Sequence, residues 1–543
     1  MAMKVAIIGA GCSGLAAIKC CLEEGLDPTC FEKSDDIGGL WKYSEMVEEG
    51  RASIYQSVFT NTSKEMMCYS DFPMPEDFPV YLHHSKILEY LHLYAEHFDL
   101  LKYIQCQTEV CQVTKSPHFS KTGQWEVLTK KNGTEKKEYF DAVLVCNGHH
   151  VDHYLPLESF PGIQKFKGRY IHSRFYKKSE HYQGKNVLVV GIGNSAGDIS
   201  VEISSKAKQV YLSTRQGTWV VSRISHHGYP IDMALATRFF FWISNLLPAN
   251  LFNKMNEKHM SSWFDHENYG LEPENRSFFK EPIVNDYLPS QILCGAIKVK
   301  PNISTFTETS VIFEDGSVVE DLDAVIFATG YSISFPFLED SVIRVDNNKV
   351  ALYKNVFPLS HEKPTMAFLG LVQPLGSLLA VSEIQARWAT QVFKVLVTLS
   401  SRKSNCYNAI TVLSSLNSFG RGRFQTLQTF FISYMDEIAV EIGVRPNIVV
   451  LFLKEPSLAW NVFFGPCTPY QYRLTGPGKW SGARKAILTQ WNRTLSPAKT
   501  RVVQRLTESQ SKTKEIIILF GLATAILSCV YYIVFTAQHA LWS

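Results

Sequence analysis

Two short glycine-rich turns, each opening a helix directly after a buried strand, constrain this chain more than anything else in its sequence. The first is Gly9-Ala10-Gly11-Cys12-Ser13-Gly14, after Val5-Ala6-Ile7-Ile8; the second is Gly191-Ile192-Gly193-Asn194-Ser195-Ala196, after Val187-Leu188-Val189-Val190. In such a turn the first glycine permits a tight bend, the second lets backbone approach a pyrophosphate, and the third, or an alanine, lets helix pack on strand. The helix N-terminus adds partial positive charge, so each turn can cradle a phosphate. One GxGxxG alone is weak evidence, because glycine turns are common. Here the whole unit repeats. The segments from Asp141 to Gly148 and from Asp323 to Gly330 are similar buried strands ending in glycine, and 323 − 141 and 191 − 9 both equal 182. Strand, fingerprint, helix and closing strand repeated in register predict an α/β fold with two Rossmann-like dinucleotide-binding domains.

The rest of the composition narrows the class. A chain of 543 residues, 45% apolar, holds two or three domains with a large core. A formal charge of +3 over that length is too small for the electrostatic footprint of a nucleic-acid binder, so no nucleic-acid partner is expected. Twelve cysteines without a CxxC pair suggest neither a metal site nor a disulfide framework, and Met1-Ala2-Met3-Lys4 leads straight into a strand without a cleavable signal. Reduced thiols facing the cytosol fit best. From Ile516 to Ala537 there are 22 positions without a charge, roughly 33 Å of helix, enough for a bilayer core. Between Arg484 and Lys514 eight basic residues face one acid, Glu508, which keeps that side cytosolic.

The expected organisation is residues 1–152 as the first part of an FAD-binding domain, 153–331 as an NADP-binding domain, and 332–445 as a return to the first. The aromatic-rich stretch of about 219–285 reads as a helical insertion in the second domain. Residues 446–514 form a C-terminal cytosolic region, and 515–537 a hydrophobic transmembrane anchor. Pro364 to Gly370 reads as a strand, Glu383 to Leu399 as a helix, and Ser400 to Arg423 as a surface loop. The run from Gly465 to Trp480 is dense in turn formers and suggests no chemistry.

Glu32, ending the strand after the first fingerprint, is placed to accept hydrogen bonds from a ribose with free hydroxyls, as in FAD. Gly38-Gly39-Leu40-Trp41 can bring backbone to the flavin end of the same ligand. At the corresponding place in the second unit stand Ser213-Thr214-Arg215, with Arg223 following. A guanidinium there pairs with a 2′-phosphate and selects NADPH. Two nucleotide sites imply electron transfer from nicotinamide to flavin. A disulfide reductase would need a redox-active cysteine pair such as CxxC or CxxxxC near the flavin; none is expected, so oxygen is the expected acceptor.

Phe166-Lys167-Gly168-Arg169-Tyr170-Ile171-His172-Ser173-Arg174-Phe175-Tyr176 matches FxGxxxHxxxY, and Phe327-Ala328-Thr329-Gly330-Tyr331 matches a FATGY linker. On these motifs the chain resembles the flavin-containing monooxygenases of the mammalian microsomal type, from Lys4 to the hydrophobic tail. The resemblance implies that NADPH reduces FAD and that NADP⁺ stays bound to shield a C4a-hydroperoxyflavin, which oxygenates soft nitrogen or sulfur nucleophiles to N-oxides and S-oxides. It further implies Asn61 as the catalytic residue, Leu40, Trp41 and Thr62 on FAD, Thr60, Ser195, Ala196, Gly197 and Asp198 on NADP, and attachment to the endoplasmic reticulum. His172 and Tyr176 would shape the domain junction. Small-molecule nucleophiles, O₂ and a lipid bilayer are the expected partners, and a homo-oligomer is left open. The motifs are shared with Baeyer–Villiger enzymes acting on ketones, and a leaky site would make the chain an NADPH oxidase releasing H₂O₂. Tyr287, in place of a usual Glu, and Ala380-Val381, in place of Pro-Thr near the flavin side of the pocket, depart from the family pattern and bear on substrate range.

Overall fold

The 182-residue repeat of the sequence returns as a repeat of strand register. The computed structural model describes residues 2–273, 282–359, 363–398 and 427–501. Strand β1 (Lys4–Ile8) leads into helix α1 (Cys12–Glu23), and β2 (Asp27–Phe31) pairs parallel to β1; β3 (Ile104–Gln105) and β4 (Ala142–Val145) flank them. A second set follows: β5 (Arg169–His172), β6 (Asn186–Val190), helix α2 (Asn194–Ser204), β7 (Gln209–Ser213), β8 (Ile297–Lys300) and β9 (Ala324–Phe327). Val5 lies opposite Pro28 and Ala142, and Val187 opposite Val210 and Ala324. The differences 187 − 5, 210 − 28 and 324 − 142 are all 182.

Late in the chain β10 (Met366–Phe368) joins β4, followed by helix α3 (Leu378–Thr398). The first sheet therefore runs β10-β4-β1-β2-β3 and the second β8-β7-β6-β9-β5, all parallel. Both faces of each sheet are covered, which is why the central strands read as unbroken apolar runs. Val5 and Ile7 enter one core and Ala6 and Ile8 another; Val187 and Val189 enter a third, Leu188 and Val190 a fourth. The alternation is that of a strand whose side chains point to opposite faces. The fingerprint turns are equally matched. Gly9 and Gly191 have φ of +100° and +119°, and a Cβ there would lie 2.7 Å from Cys146 O and 2.5 Å from Ala328 O.

Both sheets lie in the first of two compact units, Met1–Pro497; of the second, Ala498–Ser543, only residues 498–501 are described. The stretch 219–285 contains the helices Ile231–Leu235, Arg238–Leu246 and Ala249–Ser261, but also two short strands, Val220–Val221 and Ile283–Val284, which pair with each other. Among the described residues no helix is long and apolar enough to cross a membrane. The segment 516–537 expected to do so, and the loop expected at 400–423, lie outside the described residues.

The run from Gly465 to Trp480, read as turn formers without a chemistry, has a structural role. It folds into a buried turn, Pro469–Arg473. Arg473, 1% exposed, donates from Nη2 to Glu383 on α3 (2.6 Å), pairs with Asp71 (2.9 Å) and donates from Nε to Ser70 Oγ (2.7 Å). Burial opposes ionisation of Glu383, but Arg473, Lys19 and Arg387 hold its carboxyl down at about 2. The turn formers serve to bend the chain into the core, where its cation closes a charge cluster.

Candidate active site

The first cradle is built by β1, α1 and the turn Gly39–Trp41. Gly11 precedes α1 with extended backbone, and no described side chain caps the helix, so its leading N–H groups are left for an anion. Gly38 N donates to Ala10 O (3.0 Å), which draws the second glycine pair onto the fingerprint. A Cβ on Gly39 would lie 3.1 Å from Gly11 Cα, so only glycine leaves this slot open for backbone to meet a ligand. A Cβ on Gly14 would lie 1.9 Å from Gly9 O, and Ser13 donates to Ser382 on α3 (2.9 Å). Glu32 sits one residue past β2, buried, its two oxygens accepting from Ala10 N and Ser34 N (both 2.8 Å). A carboxylate pinned by backbone at the end of β2 suits ribose hydroxyls. Leu40 and Trp41 lie on the short turn, Trp41 half-buried against the main core.

The second cradle is more open. Gly193 precedes α2, again without a side-chain cap, and a Cβ there would meet nothing within 4 Å among the described residues. Asn194 is exposed, Ser195 half-buried, and Ala196 and Gly197 buried against the sheet. Asn194 Oδ1 accepts from Val284 N (2.9 Å). Asp198 is turned inward, accepting from Tyr55 Oη (2.8 Å) and Asn285 Nδ2 (2.9 Å), and burial raises its carboxyl. Thr214 is buried and accepts from Gly217 N (3.1 Å), while Arg215 beside it is exposed at the end of β7.

Arg215 and Arg223, the two guanidinium groups expected near a 2′-phosphate, are held differently. Arg223 donates from Nη2 to Asn61 Oδ1 (2.7 Å), from Nε to Thr60 O (3.1 Å) and from Nη1 to Asp286 (3.0 Å). Its guanidinium therefore holds the Asn61 loop, and Arg215 is the one presented to solvent. With its oxygen taken, the Asn61 amide has its Nδ2 end to offer, and no described residue accepts from it. Thr60 is buried, its Oγ1 accepting from Leu82 N (2.9 Å), and Thr62 is half-buried. Ser63 donates through N and Oγ to Asp232 (2.7 and 2.9 Å), whose carboxyl burial raises to about 6. Asp286, Asp232 and Tyr55 were not expected at the site. Asp286 was in view only as the residue before the unusual Tyr287, and a contact across 63 residues leaves no local pattern. Tyr287 itself is 65% exposed, and Ala380 and Val381 on α3 are buried in the main core.

The junction motif is buried rather than reactive. His172 ends β5, 1% exposed, its Nδ1 accepting from Arg174 N (3.1 Å), with its ring edge-on to Tyr331. Burial, with help from nearby His153, lowers its imidazole to about 4. Tyr176 packs between Tyr55 and Tyr182. Cysteine chemistry finds no support. Cys106 and Cys111 have the CxxxxC spacing, a correction to the expectation that no such pair is present; both are free thiols, and desolvation by burial raises them away from the thiolate. No group of His, Cys, Asp and Glu able to hold a metal occurs among the described residues.

Comparison with known proteins agrees with this geometry. The family model described as flavin-binding monooxygenase-like matches residues 2–534. The chain is 57% identical over 505 residues to dimethylaniline monooxygenase (N-oxide-forming) 2 of Macaca mulatta, covering 93% of this chain and 94% of that protein. It is 55% identical over 503 residues to flavin-containing monooxygenase 5 of Mus musculus, covering 92% and 94%. Among solved structures it resembles the S-allyl-L-cysteine S-oxygenase of Allium sativum, with a TM-score of 0.61 at 24% identity over 91% and 99% of the two chains. It also resembles an open form of cyclohexanone monooxygenase, with 0.58 at 16% identity over 82% and 97%. At those identities the last two speak to the fold alone.

Proposed function

This chain belongs to the flavin-binding monooxygenase-like family, and on that premise we propose that it uses NADPH and O₂ to oxygenate soft nitrogen or sulfur nucleophiles, giving N-oxides and S-oxides. It is an enzyme, and its cofactors are FAD and NADPH. Bound FAD, reduced by NADPH, supplies the chemistry of activating O₂; the protein binds, orients and shields. Residues 1–152 and 332–445 would hold FAD, through Gly9, Ala10, Gly11, Cys12, Ser13 and Gly14 at its pyrophosphate, Glu32 at its ribose, and Leu40, Trp41 and Thr62 toward its ring. Residues 153–331 would hold NADPH, through Gly191, Gly193, Asn194, Ser195, Ala196 and Gly197 at the pyrophosphate, and Thr214 and Arg215 at the 2′-phosphate.

The observation that carries this reading is the Arg223 clamp on Asn61. An amide whose oxygen is already bound by a guanidinium at 2.7 Å presents its N–H₂ in one direction, and it would offer that donor to a flavin and nicotinamide bound between the cradles. His149, His150 and His172 are held neutral by desolvation, and this reading gives none of them the part of a base. The apolar segment 516–537 with its basic flank supports a membrane anchor, proposed here to lie in the endoplasmic reticulum with the nucleotide sites on the cytosolic side.

Oxygen labelling tests the reaction. The purified full-length protein, loaded with FAD and given NADPH under ¹⁸O₂, is incubated with a tertiary aromatic amine, a thioether and a cyclic ketone. One ¹⁸O in the N-oxide and sulfoxide supports the proposal. Label only in a lactone, or NADPH consumed with H₂O₂ as the sole product, overturns it in favour of ketone insertion or oxidase activity.

A further inference from the structure

By chain order Asn61 belongs with the first nucleotide-binding unit, yet the segment leading to it is bonded side chain by side chain to the second. Ser53 Oγ donates to Arg174 O (2.9 Å) and accepts from Lys177 Nζ (2.8 Å). Lys177 Nζ also donates to Ile54 O (3.1 Å), and Lys177 O accepts from Gln56 N (3.0 Å). Tyr55 Oη donates to Asp198 Oδ2 (2.8 Å), its ring lies edge-on to Tyr176 at 5.9 Å, and it packs on the second sheet's core. Ser57 Oγ donates to Glu202. Asp198 and Glu202 are four residues apart and share one face of α2, the helix whose N-terminus forms the second phosphate cradle. The first unit holds the same segment mainly toward its far end, through His84 N to Val58 O (3.0 Å), Thr60 N to Leu82 O (2.8 Å), Leu82 N to Thr60 Oγ1 (2.9 Å) and a His83 ring nitrogen 2.8 Å from Gln56 O.

Residues 53–61 are thus a strap between the two units, and Tyr55 is the strap side chain that both bonds to helix α2 and packs on the second sheet's core. Asp198, its partner, cannot rotate away, because Asn285 Nδ2 takes its other oxygen (2.9 Å) and Asn285 Oδ1 is itself held by the backbone N–H groups of Tyr287 and Leu288. We propose that Tyr55 is a positioning residue whose hydroxyl bond to Asp198 ties the placement of the Asn61 amide to helix α2, so that nucleotide binding at α2 and ordering of the Asn61 strap are one coupled equilibrium. The proposal rests on the reading that Asn61 faces the flavin and nicotinamide. Coupling of this kind is reciprocal: whatever NADP⁺ gains from an ordered strap, the strap gains from NADP⁺.

The test is Tyr55→Phe in the full-length, FAD-loaded protein, with three readouts: amide hydrogen exchange across 53–61 with and without NADP⁺, the Kd for NADP⁺ by calorimetry, and H₂O₂ released per NADPH consumed. NADP⁺ is expected to slow exchange across the strap by about tenfold in the natural protein. In Tyr55→Phe that protection falls toward none, NADP⁺ binds about three- to tenfold more weakly and the H₂O₂ fraction rises by a similar factor, while FAD content stays unchanged. Retention of both the NADP⁺-dependent protection and the natural H₂O₂ fraction would overturn the proposal. Should Tyr55→Phe fail to fold, Ser57→Ala cuts the neighbouring anchor, with smaller shifts expected in the same directions and the same overturning result. If the natural protein makes no oxygenated product, the proposed function fails, but exchange and NADP⁺ affinity still decide the strap.

Discussion

The two sheets have the same strand order and the same register, yet they take their fifth strand from opposite directions along the chain. In the first sheet the strand outside β4 is β10, which arrives after the whole second unit; in the second, the strand outside β9 is β5, which arrives before the fingerprint. The duplication thus covers three strands and a helix, and the edges were completed separately. This explains why the FxGxxxHxxxY motif stands just ahead of the second fingerprint: Arg169–His172 of that motif is β5 itself, and His172 is its last residue. It also places the crossings between units side by side, where Tyr331 pairs antiparallel with His153 and Tyr154 N donates to Gly330 O (2.8 Å).

The cradles differ more sharply than the sheets, and the largest expected effect exploits that. The third fingerprint position is Gly14 in the first unit and Ala196 in the second. Gly14→Ala would push a methyl against Gly9 O, so helix α1 must move and the pyrophosphate cradle with it. The purified variant is expected to retain under about a tenth of its FAD, read from flavin absorbance, since several kcal/mol of overlap with backbone has no flexible side chain to relieve it. Ala196→Gly should keep NADPH binding and lose only about 1 kcal/mol of stability to helix propensity. Comparable loss of both nucleotides from both variants would show that the two turns are equivalent after all.

Arg223 comes next, because it is where the units meet. Arg223→Ala leaves the carboxylate of Asp286 without its cation and Asn61 unheld. Breaking this partly buried pair on one side is expected to cost about 1–3 kcal/mol of stability, read by thermal unfolding, and loss of the Asn61 clamp is expected to lower the share of NADPH oxidation coupled to product. If Asn61 is the reason, H₂O₂ should rise while NADPH consumption persists; a fall in NADPH affinity alone would instead assign Arg223 to nucleotide binding.

His172 offers the comparison in pH. Its imidazole is depressed to about 4 from an ordinary 6.5, so the folded protein binds a proton less readily than the unfolded chain. The stability this contributes is complete above pH 6.5 and is lost as pH falls toward 4, by about 2 kcal/mol at pH 5. Thermal unfolding at pH 7.5 and 5 should show it. His172→Asn keeps an acceptor for Arg174 N and should flatten that part of the slope, whereas an unchanged slope would move the acid sensitivity to His149 and His150, which burial likewise lowers, to about 3 and about 4, His150 lying across the Tyr331 ring from His172.

What the sequence disclosed followed from repetition and locality. The 182-residue offset marked β1, β2 and β4 with their counterparts because each pair kept both spacing and apolar character. β10 and β5 have no such partner: a first-unit counterpart of β5 would lie 182 residues before Arg169, ahead of the chain's first residue, so only the family motif pointed at β5. At the site, the fingerprint glycines and Glu32 were legible because backbone geometry and a fixed offset demand them. Asn61 entered through resemblance alone, and Asp286, Asp232 and Tyr55 through neither route, since each acts by a contact spanning more than 60 residues. The run from Gly465 to Trp480 misled for the same reason. Its prolines and glycines announce turns, but nothing local says that Arg473 turns inward to Glu383 and Asp71.

The smallest effect separates the two units at their ribose ends. Glu32, pinned by Ala10 N and Ser34 N, leaves no room for a phosphate's charge in the first cradle, while Arg215 stands exposed at the matching end of β7. Arg215→Ala removes one charge-assisted contact to a 2′-phosphate from a solvated site, worth about 1.5 kcal/mol, or roughly tenfold in kcat/KM for NADPH. The value for NADH, which lacks that phosphate, should hardly change, so the ratio of the two carries the test. Were NADPH and NADH to fall together, Arg215 would be supporting the loop rather than reading the phosphate. The open end of the second cradle would then owe its preference to Thr214 or to Arg223, and Arg223→Ala, already expected to disturb coupling, would be predicted to lower the same ratio.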